Sequence, residues 1–424
     1  LVSDSSSCST SITNAIGSGD RPIGYYTTAI NISDKIFSEL ILCNADWSNI
    51  TNIIVKGSDT LKNNGILVMF TNNVTFKKIN SSWNYYGIHF YSSSSNTLTN
   101  ITAQNNNWDG IYLDHSSSNT LTNIIANNNG EYGIFLYSSS SNTLTNITAQ
   151  NNNRYGISLS SSSSNTLTNI IANSNSHSGI FLQSSSSSSN TLTNIIANNN
   201  GEYGIYLSSV SSNTLTNITA QNNNWYGIYI ISSSSNNLTN ITANNNGDRG
   251  IYLRSSSSNT IAKSTIKYNA QYGIYLYSSD NNNITSSIIK FNPQGIYFNG
   301  YSDNNTFKNN TILKNKINNI RITSSDNNNL FYNNLLSTAK YKISDASSTT
   351  KWNYTNIGNH WLDYDAEHEG CYDTNNDGIC DNPYAINDKY DYYPIYTGTP
   401  QKTFTCSSCS ECTSLIQNNA TPND

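Results

Sequence analysis

The chain is 424 residues long, and its 21 Lys+Arg against 26 Asp+Glu leave a net charge of −5. Only 11% of its residues are charged, against about 25% in an ordinary soluble domain, and Ser, Asn and Thr fill the deficit. So few cations exclude a nucleic-acid partner, which needs clustered Lys and Arg against phosphate. No apolar run reaches the ~18 residues of a membrane-spanning helix, so no transmembrane segment is expected. Yet 30 Tyr, 11 Phe and 6 Trp are too many for a solvated, disordered chain.

In chain order, residues 1–60 hold the irregular segment Ile23–Ser58 and read as an N-terminal cap. Residue 1 is Leu and no charged n-region with an apolar h-region opens the chain, so it reads as a mature exported protein. Seven cysteines suit an oxidising compartment. An extracellular or cell-surface location also agrees with fourteen Asn-X-Ser/Thr sequons, which mark candidate N-linked glycans at Asn31, Asn49, Asn73, Asn80, Asn100, Asn146, Asn217, Asn237, Asn240, Asn283, Asn304, Asn309, Asn353 and Asn419.

Residues 61–340 are a repeat. Gly87, Gly110, Gly133, Gly156 and Gly179 are each 23 residues apart; Gly204 follows after 25, and Gly227, Gly250 and Gly273 restore 23. Gly65 and Gly295 extend the series, and Asn319 takes the next place because Asn tolerates positive φ. Within a repeat, Leu144, Ile147 and Ala149 alternate with polar residues, as do Ile157 and Leu159 around Ser158. Period two is a strand signal. Short strands joined at corners, one coil turn per repeat, stack Leu98, Leu121 and Leu144 into one inner ladder and Ile111, Ile134 and Ile157 into another. The expected fold is all-β: a right-handed parallel β-helix, a solenoid of about twelve rungs. A β-propeller blade needs about 40 residues or more, longer than this period.

Two outward rows stand out. The residue two after each corner glycine gives Tyr112, Phe135, Phe181, Tyr206, Tyr229, Tyr252, Tyr275 and Tyr297, broken only by Ser158. This row is expected either to stabilise the sheet by stacking or to form an interaction face for glycans or a second copy of the chain. Asp280, Asp303 and Asp326, 23 residues apart, read as a stack of turn residues. The histidines, His89, His115, His177, His360 and His368, share no ladder position and form no metal spacing.

Residues 341–397 break the period and read as a C-terminal cap, with 398–424 a Cys-rich tail. Asp373, Asn375, Asp377 and Asp381, with Ile379 between, place oxygen ligands around Gly378, a pattern that suits structural Ca²⁺. Asp363, Asp365 or Glu369 would complete the shell. Cys371 and Cys380 flank the loop, Cys8 and Cys43 would tie down the N-terminal cap, and Cys406, Cys409 and Cys412 are left for a crosslink between subunits.

The rungs resemble the right-handed parallel β-helix superfamily of carbohydrate-binding proteins and sugar hydrolases, and most of all its NosD-like archaeal surface proteins. The segments Ile357–Tyr364, Asp373–Ile386 and Tyr392–Ile395 are similar to the closing motif of those proteins. The resemblance covers roughly residues 45–397 and implies fold more than function. From the uniformity of the rungs, the expectation is a structural extracellular protein and not an enzyme: a homopolymeric subunit of a glycosylated sheath, surface layer or filament. The alternative is a carbohydrate-binding adhesin or, further off, a polysaccharide-active enzyme.

Overall fold

A computed structural model describes residues 5–9, 11–58, 62–337 and 342–397 of the chain. Each turn of the coil contributes to two long parallel sheets. The first has 15 strands, from Ile23–Tyr26 to Lys342–Asp345. The second runs from Asn31–Phe37 to His360–Trp361. From Thr260 onward its turns carry two short strands in place of one. The cause is local: the inward Ile column that ends at Ile241 is taken over by Ser264, Ser287, Asn310, Asn334 and Asn359, all buried. Their side chains accept backbone N–H groups from the preceding turn and interrupt the strand.

Both expected inner ladders form. Leu98 to Leu238 pair in register and are fully buried, as do Ile111 to Ile251. Each buried side chain contributes about 1.5–3 kcal/mol of transfer free energy. What closes the corners is polar. Asn96, Asn119, Asn142, Asn165 and their successors are buried, and each backbone N–H donates to the Oδ1 of the next asparagine, at 2.8 Å for Asn96, Asn119 and Asn142. This ladder satisfies corner N–H groups that the sheets leave unpaired.

Three expectations need correction. Twelve rungs is an undercount: the first-sheet ladder includes Ile23–Tyr26 and Glu39–Cys43 and continues to Lys342–Asp345. Much of the presumed irregular cap before residue 60 is therefore coil, and the coil passes residue 340. Apart from Gly65, with φ of +71°, the corner glycines are not left-handed either. A Cβ on Gly110 would sit 2.6 Å from the Gly133 carbonyl oxygen, so glycine is needed for close approach of neighbouring turns. Positive φ falls instead on bend residues such as Asn100, Asn146 and Ser141, and not on Asn319. Asn319 ends a second buried amide ladder, accepting the Asn315 N–H.

The C-terminal end is covered by an antiparallel pair, Tyr384–Ile386 with Lys389–Asp391. Buried Asp391 anchors it, its Oδ2 accepting the Asn359 N–H at 2.7 Å and the Trp361 indole N–H at 2.9 Å. Among the described residues two disulfides form, Cys8–Cys43 and Cys371–Cys380. Cys406, Cys409, Cys412 and Asn419 lie outside the described residues. Among the described residues no helix is long and apolar enough to cross a membrane.

Candidate functional site

The outer face of the first sheet carries three adjacent columns of side chains beside the corner glycines. The column two residues after each glycine is the expected aromatic row. Its members are register partners and stack nearly parallel: Phe181 on Tyr206 at 4.6 Å, Tyr206 on Tyr229 at 5.1 Å, and Tyr229 on Tyr252 at 5.0 Å. Ring faces thus cover one another, which stabilises the sheet, and Phe181, Tyr229, Tyr252 and Tyr275 are left buried, so this row offers less open surface than an interaction face would need. The row also runs further than the sequence reading took it. His89 pairs with Tyr112 and Arg321 with Tyr297, so the row runs from His89 to Arg321, with His89 as its single histidine.

The column immediately before the glycines reads Tyr86, Asp109, Tyr132 and Tyr155, and later Tyr203, Tyr226, Arg249 and Tyr272. The column before that includes Tyr85, Trp108, Glu131, Arg154, His177, Glu202, Trp225 and Asp248. Here charge collects in a chain that has little of it. Arg154 pairs with Glu131 at 3.1 Å and His177 with Glu202 at 3.0 Å, each across one turn. The Arg249 guanidinium lies 4.4 to 5.5 Å from the rings of Tyr226, Tyr252, Tyr272 and Tyr275. Tyr85, Trp108 and Trp225 are 37–50% exposed and form an outer rail; Tyr85 and Trp108 stack at 5.2 Å. The signal that finds this band is departure from repetition. Inner columns repeat Leu, Ile, Ala and Asn turn after turn, while these positions change chemical type.

At the N-terminal end of the band, Tyr86, His89, Asp109 and Tyr112 cluster. The His89 ring lies 4.6 Å from Tyr112, nearly parallel, and 5.1 Å from Tyr86. Its Nε2 is buried without a hydrogen-bond partner, and burial pushes its pKa down to about 4. Asp109 is buried, and burial pushes its carboxyl up to about 7, opposed by the Tyr132 backbone N–H donating to Oδ1 at 3.1 Å. Burial raises both tyrosines, with Asp109 adding to Tyr86 and Asp114 to Tyr112. Tyr86 relates the two, its ring near His89 and its phenol raised further by the Asp109 charge; near neutral pH the cluster holds a neutral imidazole and a carboxyl poised between its two protonation states, a setting that suits acid–base chemistry.

The other candidates divide. Asp280 Oδ1 accepts the Asp303 N–H at 2.8 Å and Asp303 Oδ1 the Asn327 N–H at 2.6 Å, as turn residues do. Asp326 leaves that column for the buried serine column, where it accepts the Ser302 N–H. In the 373–381 loop, Asp373 accepts the N–H groups of Asp377 and Gly378, Asp377 that of Ile379, and Asp381 that of Thr374. Asp363, Asp365 and Glu369 are engaged with Tyr384, His360 and the Asp365 N–H. Among the described residues no three His, Cys, Asp or Glu side chains form a metal-holding group. Every sequon asparagine among the described residues is exposed or partly exposed, and none belongs to a buried ladder.

A family model described as "Right handed beta helix region" matches residues 39–194 and 178–336. No curated protein matches the chain. Among solved structures, the A-module of the Azotobacter vinelandii mannuronan C-5 epimerase AlgE6 is 12% identical, covering 76% of this chain and 90% of that one with a TM-score of 0.50. The Dettilon tailspike protein is 13% identical over 74% of this chain and 62% of its own (TM-score 0.46). The catalytic domain of a GH87 α-1,3-glucanase is 17% identical over 68% and 59% (TM-score 0.39). The epimerase likeness overturns the expectation that the chain is not an enzyme. That module is built on the same rod, so a regular solenoid does not exclude catalysis.

Proposed function

The chain belongs to the right-handed β-helix family, and on that premise we propose that it works outside the cell on extended polysaccharide, held lengthwise along the outer face of the first sheet. The observation that carries this reading is that, over the central turns from Gly87 to Gly250, chemical variety lies on the outer face of the first sheet while the second-sheet strands repeat Thr, Leu, Asn and Ile. Trp108 and Trp225 lie five turns apart, roughly 24 Å at the inter-strand spacing, and offer exposed apolar faces to sugar rings. The Arg154–Glu131 ion pair and the His177–Glu202 hydrogen bond between them offer polar groups to hydroxyl or carboxylate groups. Tyr86, His89, Asp109 and Tyr112 are the groups placed for acid–base chemistry on a bound chain. The mannuronan epimerase module lends the substrate class by analogy of fold.

The test is electrophoresis of the native protein through gels containing uronans, α-glucans or β-glucans. Retardation by one polymer, relieved by Trp108→Ala with Trp225→Ala, supports the reading. Equal mobility in every gel refutes it.

A second reading, a subunit of a sheath, surface layer or filament that pairs with copies of itself, draws on the terminal strands. Among the described residues Ile23–Tyr26 and Asn31–Phe37 end their sheets, and such edges invite pairing with another chain. We further propose that Ca²⁺ binds the 373–381 loop. Its donors are all oxygen, as Ca²⁺ requires, and the Cys371–Cys380 disulfide holds its ends.

A further inference from the structure

The outer face of the second sheet differs from the band just described. From Thr97 to Thr219 each turn there reads Thr-Leu-Thr-Asn-Ile-Thr or Thr-Leu-Thr-Asn-Ile-Ile, and the asparagine bends the strand with φ near +56°. The bend opens a groove along the rod between the column of these asparagines and the column two residues later. One segment, of about 570 Å³, has Asn146 at one end and Asn217 at the other, with Asn169 and Asn194 between. A second, of about 380 Å³, runs from Asn100 to Asn146 with Asn123 between.

The sequence of the groove follows a pattern that packing does not require. Asn100, Asn146 and Asn217, at the segment ends, are followed two residues on by Thr102, Thr148 and Thr219 and are sequons. The asparagines between them are followed by Ile125, Ile171 and Ile196 and are not. Along the groove Ile125 and Ile196 are 43% and 40% exposed, apolar ground between amide and hydroxyl side chains. The asparagines also form an outer amide ladder. The Nδ2 of Asn146 donates to the Asn123 Oδ1 at 3.1 Å, and that of Asn217 to the Asn194 Oδ1 at 3.0 Å. Each Nδ2 carries two hydrogens and the ladder uses one, so the second is available for substitution without loss of the ladder.

We propose that Asn100, Asn146 and Asn217 carry N-linked glycans that lie along this groove and cover its exposed isoleucines. The co-reactant is a lipid-linked oligosaccharide diphosphate. Nδ2 attacks the anomeric carbon, a C–N bond forms and the bond to the diphosphate oxygen breaks. The displaced Nδ2 proton leaves with the lipid diphosphate. Asn146 and Asn217 are three turns apart, roughly 14 Å, which gives each glycan its own stretch of groove. Asn240, the next sequon of this column, is a single turn from Asn217, roughly 4.8 Å, so only one of that pair is occupied on any molecule. The glycans leave the aromatic band of the first sheet free, and the inference does not depend on what that band binds.

The test uses the full chain secreted from a host that N-glycosylates, with peptide mass spectrometry to read occupancy and an apolar fluorescent dye to read exposure of the groove. Wild-type protein should carry glycan at Asn100, Asn146 and Asn217, with no peptide doubly modified at Asn217 and Asn240. Thr148→Val and Thr219→Val keep a β-branched outward residue while removing each sequon. Each should lose one glycan mass, raise dye binding severalfold and leave β-sheet circular dichroism unchanged. Unmodified asparagines at the three positions overturn the proposal. So does dye binding that stays constant when the glycans are lost.

Discussion

Asp109 and His89 lie in one cluster, yet burial moves them in opposite directions, and this gives a sharp test of the site. Asp109 is raised from 3.8 to about 7. Between those values the unfolded chain ionises and the folded chain holds its proton, so the contribution of Asp109 to stability falls as pH rises from 4 to 7. At 1.36 kcal/mol per unit the loss is about 4 kcal/mol. His89 is lowered from 6.5 to about 4. Across that window the unfolded chain binds the proton and the folded chain does not, so its contribution rises with pH, by about 3 kcal/mol. The two slopes nearly cancel in the native protein between pH 4 and 6.5. Asp109→Asn keeps an acceptor for the Tyr132 N–H and removes one slope; His89→Leu removes the other. Urea unfolding at pH 4, 5.5 and 7 should show Asp109→Asn gaining on wild type as pH rises, and His89→Leu losing ground by a similar amount. A difference from wild type that is constant across pH for both variants would refute the buried-cluster reasoning.

Asn142→Ala should cost about 2–4 kcal/mol, because it orphans the buried Asn119 N–H and removes two amide donations, to Asn165 Oδ1 and the Ser140 carbonyl. Chemical denaturation measures it, and a loss under about 0.5 kcal/mol, typical of a surface change, would deny the ladder its role. If Ca²⁺ binds the 373–381 loop, a chelator should lower the thermal midpoint of wild type and leave that of Asp377→Ala unmoved; coincident melts of wild type with and without chelator would remove the ion from the account.

The fold was legible because its signal is written many times over. Leu98 and its equivalents recur at one spacing, and repetition averages away local ambiguity. The caps were misjudged for the converse reason: Ile23–Tyr26 and Glu39–Cys43 form turns of the same coil with loops of different length, so periodicity does not mark them. The buried asparagine ladders are not legible from spacing, since a sequence does not say that an amide faces inward. His89 was set aside although it stands two residues after Gly87, as Tyr112 does after Gly110. The band was half visible: the aromatic row follows from spacing, but Asp109, Glu131, Arg154 and Arg249 gain meaning only once neighbouring turns are laid on one another.

The central claim is that polysaccharide lies along the outer face of the first sheet. Oxidative footprinting of tryptophans, with and without the polymer that retards the protein in a gel, tests it directly. The account predicts that Trp108 and Trp225 lose labelling on binding while Trp47, 74% exposed and off the band, does not change. Unchanged labelling at Trp108 and Trp225 with the polymer bound would contradict it.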